Sequence, residues 1–163
     1  MVELQKIDEG SFETIRRFQE DYPVKVGRLA KELGLRVLLK PFPAKISGEI
    51  RPSAETPSGF EININRFEKN TRQRFTIAHE IGHYLLHSHL IGGGIVDNVL
   101  YRSKLSNRIE AEANRAAADI LMPKHLIQKV ANDLRIPFSS EHVESFSEAL
   151  QVSKQAMGIR LGF

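Results

Sequence analysis

The sequence predicts an α+β fold. A small, mostly antiparallel sheet is expected before residue 70, followed by a helix that carries histidines, and then a helical C-terminal part. Three observations carry that prediction. Phe60, Ile62 and Ile64 alternate with Glu61, Asn63 and Asn65, the period of two that a half-buried strand shows. Phe75, Ala78, Ile81, Gly82 and Leu85 recur at helical spacing. Beyond Ser106 the apolar residues keep that spacing almost to the last residue, interrupted at Pro123. A chain of 163 residues has the size of one domain that buries about two-thirds of its unfolded surface. Residues 1–163 are therefore read as a single domain. Its parts are N-terminal helices and sheet over 1–69, site-bearing helices over 70–123 and a helical part over 124–163.

In chain order, residues 11–20 and 24–34 read as two short helices parted at Pro23. Val26, Leu29, Ala30 and Leu33 give the second an apolar face, and Gly34 is placed to end it. Leu35–Leu39 and Ile46–Ile50 read as strands, with Pro41 and Pro43 between them. A turn-rich stretch, 51–59, leads to the third strand at Phe60. The edge of such a sheet can hold an extended peptide by strand addition. Asn70 followed by Gln73 resembles a capping box at the start of the next helix. Residues 89–105, with glycines at 92, 93 and 94, read as a surface loop beside a cleft. Ser106 is taken as the cap of a helix whose core stripe is Ile109, Ala113, Ala116, Ala117, Ile120 and Leu121. So many alanines imply close approach of another helix. Pro123 separates it from a helix carried by Leu126, Ile127, Val130 and Leu134. Two more helices follow, one on Val143, Phe146 and Leu150, the other on Ala156, Met157 and Leu161 behind a Ser153 cap.

Composition excludes several classes. Hydrophobic residues make up 41% and charged residues 26% of the chain, the balance of a soluble globular protein. No apolar run is long enough to span a bilayer, and the N-terminal residues have no signal-peptide core. No membrane association is expected, and the cytoplasm is the default location. With no cysteine, disulfides and thiolate metal sites are ruled out, which leaves histidine and carboxylate as ligands. The 23 basic and 20 acidic residues leave a net charge of +3. Lys124, Lys129, Arg135, Lys154 and Arg160 are scattered among acids, so direct DNA binding is not expected.

The chemistry is concentrated in Arg74–His87, RFTIAHEIGHYLLH. Within it, His79-Glu80-Ile81-Gly82-His83 matches H-E-x-x-H. On a helix, positions i and i+4 share one face, so His79 and His83 can offer two imidazoles to one Zn²⁺. Glu80 is placed to reach a metal-bound water rather than the metal. By composition alone the pattern should occur by chance on the order of once in fifty such chains, so its helical context matters.

Catalytic zinc takes three protein ligands, and three candidates for the third stand out. His87 continues the histidine stripe but lies roughly 12 Å of helical rise from His79, which suits a supporting role better. His89 holds the last position of the H-E-x-x-H-x-x-G-x-x-H pattern. The glycine that would turn it back towards the metal is Leu86 here. Glu110 would complete a His₂Glu set, with Asn114 one turn on to hydrogen-bond a ligand. Glu112 points to roughly the opposite side of that helix and is expected in a surface ion pair. Glu110 is the preferred third ligand.

The histidine helix, Glu110-Ala111-Glu112-Ala113-Asn114 running through to Leu121-Met122-Pro123, residues 152–162 and the start of the chain before the sheet together resemble the ImmA/IrrE family of zinc metallopeptidases. One departure is Ala116, where many members carry Phe. The resemblance implies a zincin-like metallopeptidase fold, Zn²⁺ on His79, His83 and Glu110, and Glu80 as the catalytic residue. It also implies a helix-turn-helix transcriptional repressor as protein substrate and partner. The activity implied is endopeptidase cleavage, with Glu80 assisting attack of zinc-bound water. The other class that stays open is a toxin-like or regulatory module that binds such a regulator, or DNA, without proteolysis. Tyr84, His87, His89, Tyr101 and Arg102 are candidate oxyanion donors among which the sequence does not choose.

Overall fold

The computed structural model describes residues 3–92, 95–98 and 104–163, with the backbone alone described for 95–98 and 104–106. Helices α1 (Glu9–Phe18) and α2 (Val26–Glu32) open the chain after a 3₁₀ turn at Leu4–Lys6. Asp8 caps α1 by accepting a hydrogen bond from Ser11 N at 2.9 Å. Gly34, with φ +85°, follows the C-cap of α2 in a backbone conformation that costs a side-chain-bearing residue more. Four strands form one sheet: β1 (Arg36–Lys40), β2 (Ile46–Pro52), β3 (Phe60–Asn65) and β4 (Ile95–Asn98), in the order β1-β3-β2-β4. β1 pairs with β3 in parallel, and β2 pairs antiparallel with both β3 and β4.

The sheet differs from the sequence-based expectation in two ways. The segment after the histidine helix, read as a loop, supplies the edge strand β4, while glycines 93 and 94 lie outside the described residues. Alternation in β3 suggested one wet face, yet Glu61, Asn63 and Asn65 are buried along with Ile62 and Ile64. β3 is central, so its polar side chains must find partners inside the protein. Asn65 Nδ2 donates to Ile46 O at 2.8 Å, Asn63 Nδ2 to Glu49 Oε1 at 3.0 Å, and Glu61 pairs with Arg36.

Helix α3 (Asn70–His87) crosses the sheet and packs its other side on α4 (Lys104–Leu121). Gly48 of β2 permits the first contact: a Cβ there would stand 2.8 Å from Thr76 Cγ2 of α3 and 2.7 Å from Asn63 O. The capping box expected at Asn70 does not form. Lys69 is the N-cap and makes no side-chain cap bond, and Gln73 turns to donate to Asn65 O at 3.0 Å. Helix α4 starts at Lys104, so Ser106 lies inside it rather than capping it. The expected alanine stripe is buried: Ala113, Ala116, Ala117, Ile120 and Leu121 are all inaccessible.

Helices α5 (Lys124–Leu134), α6 (Val143–Leu150) and α7 (Lys154–Leu161) complete the chain. Pro123 is the N-cap of α5 rather than its first residue. Ser153 caps α7, its hydroxyl accepting from Ala156 N at 3.0 Å. Leu134, expected in the core, is about half exposed at the end of α5. Arg160 of α7 ties this part to α4 by donating to Met122 O at 2.8 Å and to Asp119 Oδ1 at 3.0 Å. Among the described residues, no helix is long and apolar enough to cross a membrane.

Candidate metal centre

Gly82 sets the spacing between the two helices that build the site. A Cβ on Gly82 would lie 3.0 Å from Ala116 Cβ and 3.2 Å from Ala113 O, closer than ordinary carbon contacts of about 3.5–4.0 Å. With α3 and α4 this close, the side chains flanking the contact meet. His79 and His83 of α3, with Glu110 of α4, form the described cluster of histidine and acidic side chains able to hold a metal ion. One ligand atom from each lies within 4.8 Å of the others. His79 Nε2 is 3.0 Å from Glu110 Oε2, and His83 Nε2 is 2.9 Å from Glu110 Oε1. The imidazoles stand edge to face, with ring centroids 4.7 Å apart and planes 86° apart.

The surroundings suit a cation. His83 Nε2 is buried and, for all its nearness to Glu110, completes no hydrogen bond with any protein group. Burial works to raise the Glu110 pKa, but the two imidazoles outweigh it and hold the carboxyl well below its usual range. Burial also depresses the His83 imidazole, against the pull of Glu110, so His83 is neutral at pH 7. A neutral imidazole, a second imidazole and an ionised carboxylate form a hard-to-borderline donor set that suits zinc and its first-row neighbours.

The other sequence-nominated residues fall in different places. Glu80 is fully buried one residue after His79. Asn114 meets the expectation for it, with Oδ1 2.8 Å from His79 Nδ1. His87 is buried and contacts His83, with Nδ1 atoms 3.0 Å apart. His89 lies exposed in a 3₁₀ turn after α3 and is not among the clustered ligands. Tyr84 packs edge-on against Phe60, its ring centroid 5.8 Å away. Tyr101 and Arg102 lie outside the described residues. Glu112 departs from expectation. It pairs with the exposed Arg108 as a surface residue would, but its other oxygen accepts from the buried His87 at 2.9 Å. The two-residue step from Glu110 had suggested an outward direction, but His87 lies one turn further along α3 and meets it.

A groove of about 1120 Å³ begins at His79 and Asn114 and runs between α3, α4 and α7. Phe67, Phe75 and Ile159 contribute to its apolar walls, and Lys69, Arg72, Arg115 and Arg160 are its cations. Sequence reasoning missed it, because its walls come from three separate parts of the chain. The only local signal was an exposed phenylalanine, Phe67, just before α3.

An 80-residue stretch is 38% identical to the radiation response metalloprotease IrrE of Deinococcus radiodurans, covering 49% of this chain and 24% of that protein. The chain thus spans about a quarter of the length of this curated relative. In three dimensions, 96% of the chain superposes on 48% of a Mycobacterium tuberculosis transcriptional regulator, with a TM-score of 0.59 and 15% identity. That likeness bears on the fold alone. Residues 30–162 match the family model Peptidase_M78, the IrrE N-terminal-like domain, and the chain belongs to this family of metallopeptidases.

Proposed function

We propose that this protein is a zinc-dependent endopeptidase whose substrate is a helix-turn-helix transcriptional repressor. One observation carries the reading: two buried imidazoles and an ionised carboxylate converge from two helices, with ligand atoms within 4.8 Å. His79, His83 and Glu110 would hold the ion. Family membership and the metalloprotease relative support the peptidase chemistry, and the family resemblance supports the repressor as substrate.

Zinc held there would act as a Lewis acid on the scissile carbonyl and lower the pKa of a coordinated water to about 7. The remaining work falls to the protein. Glu80 follows His79 on the buried face of α3 and is the general base, taking a proton from the attacking water and returning it to the leaving amine nitrogen. Glu110 brings one negative charge, so a divalent ion keeps a net positive charge for the carbonyl oxygen. Asn114 and His87 orient the two imidazoles. The groove beside His79 holds the substrate chain, with Phe67 and Ile159 at its rim.

The test uses the zinc-loaded protein and a helix-turn-helix regulator encoded beside its gene. Wild type should bind one zinc per chain and cleave the regulator. Glu80→Gln should keep zinc and fold, while cleavage falls about 10²–10⁴-fold. His79→Ala, His83→Ala and Glu110→Ala should each lose zinc, and His89→Ala should not. Full zinc occupancy in the three ligand variants would remove the site. Binding of the regulator without cleavage by wild type would make the chain a regulator-binding module instead.

A further inference from the structure

Strand β1 stands at one edge of the sheet, with β3 on its inner side and no described strand on its outer side. Along a strand the backbone groups of successive residues point to alternate sides. Two hydrogen bonds fix which residues of β1 turn outward. Lys40 O accepts from Arg66 N, just past the end of β3, at 3.0 Å, so Lys40 faces inward, and Leu38 and Arg36 with it. On the outer side, Leu35 N donates to Ala30 O of α2 at 2.9 Å. Val37 and Leu39 therefore turn their N–H and C=O groups outward, where these groups have no hydrogen-bond partner among the described residues. The Leu39 side chain is 62% exposed beside them.

A hollow of about 450 Å³ opens at the start of this edge, lined by Gly27 and Lys31 of α2, by Arg36 and Val37, and by Glu55 and Pro57. No residue of the metal centre or of the groove beside it lies here. The charges are uneven. Arg36 is held by Glu55 at 2.8 Å and by Glu61 at 2.7 Å. Lys31 in the hollow and Lys40 at the far end complete no ion pair among the described residues. Glu61, whose carboxyl feels Lys40, is already bonded to Arg36. A second copy of the chain fits this edge poorly. Antiparallel overlap of two β1 strands centred on Leu38 would set Arg36 against the other copy's Lys40 at both ends, and like charges directly opposite destabilise a pair of strands.

We propose that the outer edge of β1 binds an extended segment of a partner protein, added antiparallel, with an acidic residue at each end and three apolar residues between. Its backbone completes the hydrogen bonds that Val37 and Leu39 offer. Its apolar residues lie opposite Val37, Leu38 and Leu39, and its acids meet Lys40 at one end and Lys31 with Arg36 at the other. The antiparallel direction gives the more stable pairing per residue. This surface is separate from the metal centre and does not depend on the peptidase reading. The plainer alternative is that the lysines only discourage edge-to-edge pairing, and it predicts that no such segment binds.

The experiment is amide hydrogen exchange and NMR titration of the ¹⁵N-labelled chain at low salt. The probe is the peptide Glu-Val-Leu-Val-Glu, capped at both ends. Without peptide, the Val37 and Leu39 amides should exchange fast and those of Leu38 and Lys40 slowly. Saturating peptide should slow Val37 and Leu39 about tenfold or more. The charge-reversed peptide Lys-Val-Leu-Val-Lys should bind about tenfold more weakly. Leu39→Pro removes one outward donor and leaves the ladder with β3 intact, so it should weaken binding about tenfold. Should that variant fail to fold, Lys40→Glu carries the test and should weaken binding about 3–10-fold. Unchanged exchange at Val37 and Leu39 with peptide would overturn the proposal, as would equal binding of the two peptides. Slow exchange of both amides in the protein alone would overturn it too. If that protection grows with protein concentration and a dimer sediments, the edge belongs to a second copy; if it does not, the chain covers its own edge.

Discussion

Gly82 of α3 and Ala116 of α4 touch so closely that a methyl group on Gly82 would stand 3.0 Å from the Ala116 β-carbon. The contact lies one residue before His83, and Ala113, which it also touches, is three residues after Glu110. The helix separation and the spacing of the metal-centre residues are therefore the same quantity. Gly82→Ala should push α4 outward and cost about 1–3 kcal/mol of stability, the usual range for overpacking, in spite of alanine's better helix propensity. Zinc affinity should fall with it, because Glu110 moves with α4. Chemical denaturation and a chelator competition read the two effects. If Gly82→Ala were as stable and bound zinc as tightly as wild type, the close approach would not be what sets the site.

The groove beside His79 predicts how substrate affinity is distributed. Phe67 and Ile159 are 70% and 72% exposed at its rim, while its three arginines are paired, Arg115 with Glu3, Arg160 with Asp119 and Arg72 with Glu68. With the arginines engaged, the exposed rim side chains supply apolar contact. Phe67→Ser and Ile159→Ser should each raise KM for a repressor substrate about tenfold, from the loss of roughly 1.5 kcal/mol of side-chain burial, with kcat and zinc content unchanged. Steady-state kinetics would show it. Unaltered KM in the double variant would place the substrate on another face.

Glu3 gives a pH dependence with a definite sign. It is buried on the groove wall, where the hydrogen bond from Lys6 chiefly, and Arg115 beside it, hold its carboxyl below the ordinary carboxylate value despite burial. The unfolded chain therefore binds this proton more readily than the folded one. The contribution to stability is complete above the unfolded pKa of about 4.3 and is lost as pH falls through the depressed folded value. Glu3→Gln should lower the denaturation midpoint at pH 7, and its deficit against wild type should shrink as pH drops below 4. A deficit that stayed constant from pH 7 to 3 would mean that the Glu3 charge does not contribute.

Much of this protein is legible in its sequence because it is set by short-range geometry. The four-residue step from His79 to His83 places both imidazoles on one helical face wherever the helix goes. The run from Ala113 to Ala117 announces a close helix partner, and Ser153 announces the start of α7. Glu110 could be nominated because a His₂Glu set needs a carboxylate and Asn114 lies one turn later, and the fold brings Glu110 beside both histidines. Tertiary structure decided what depends on segments far apart in the chain. The polar face of β3 is buried because β1 and β2 flank it, which alternation cannot reveal. β4 forms because residues 95–98 find the free edge of β2, against a composition that reads as loop. Glu112 turned inward because His87 happens to lie opposite it, a matter of how α3 and α4 are offset along their axes. That offset is set where Gly82 lets the helices meet. Local periodicity determines which residues share a face, and only packing determines which faces meet.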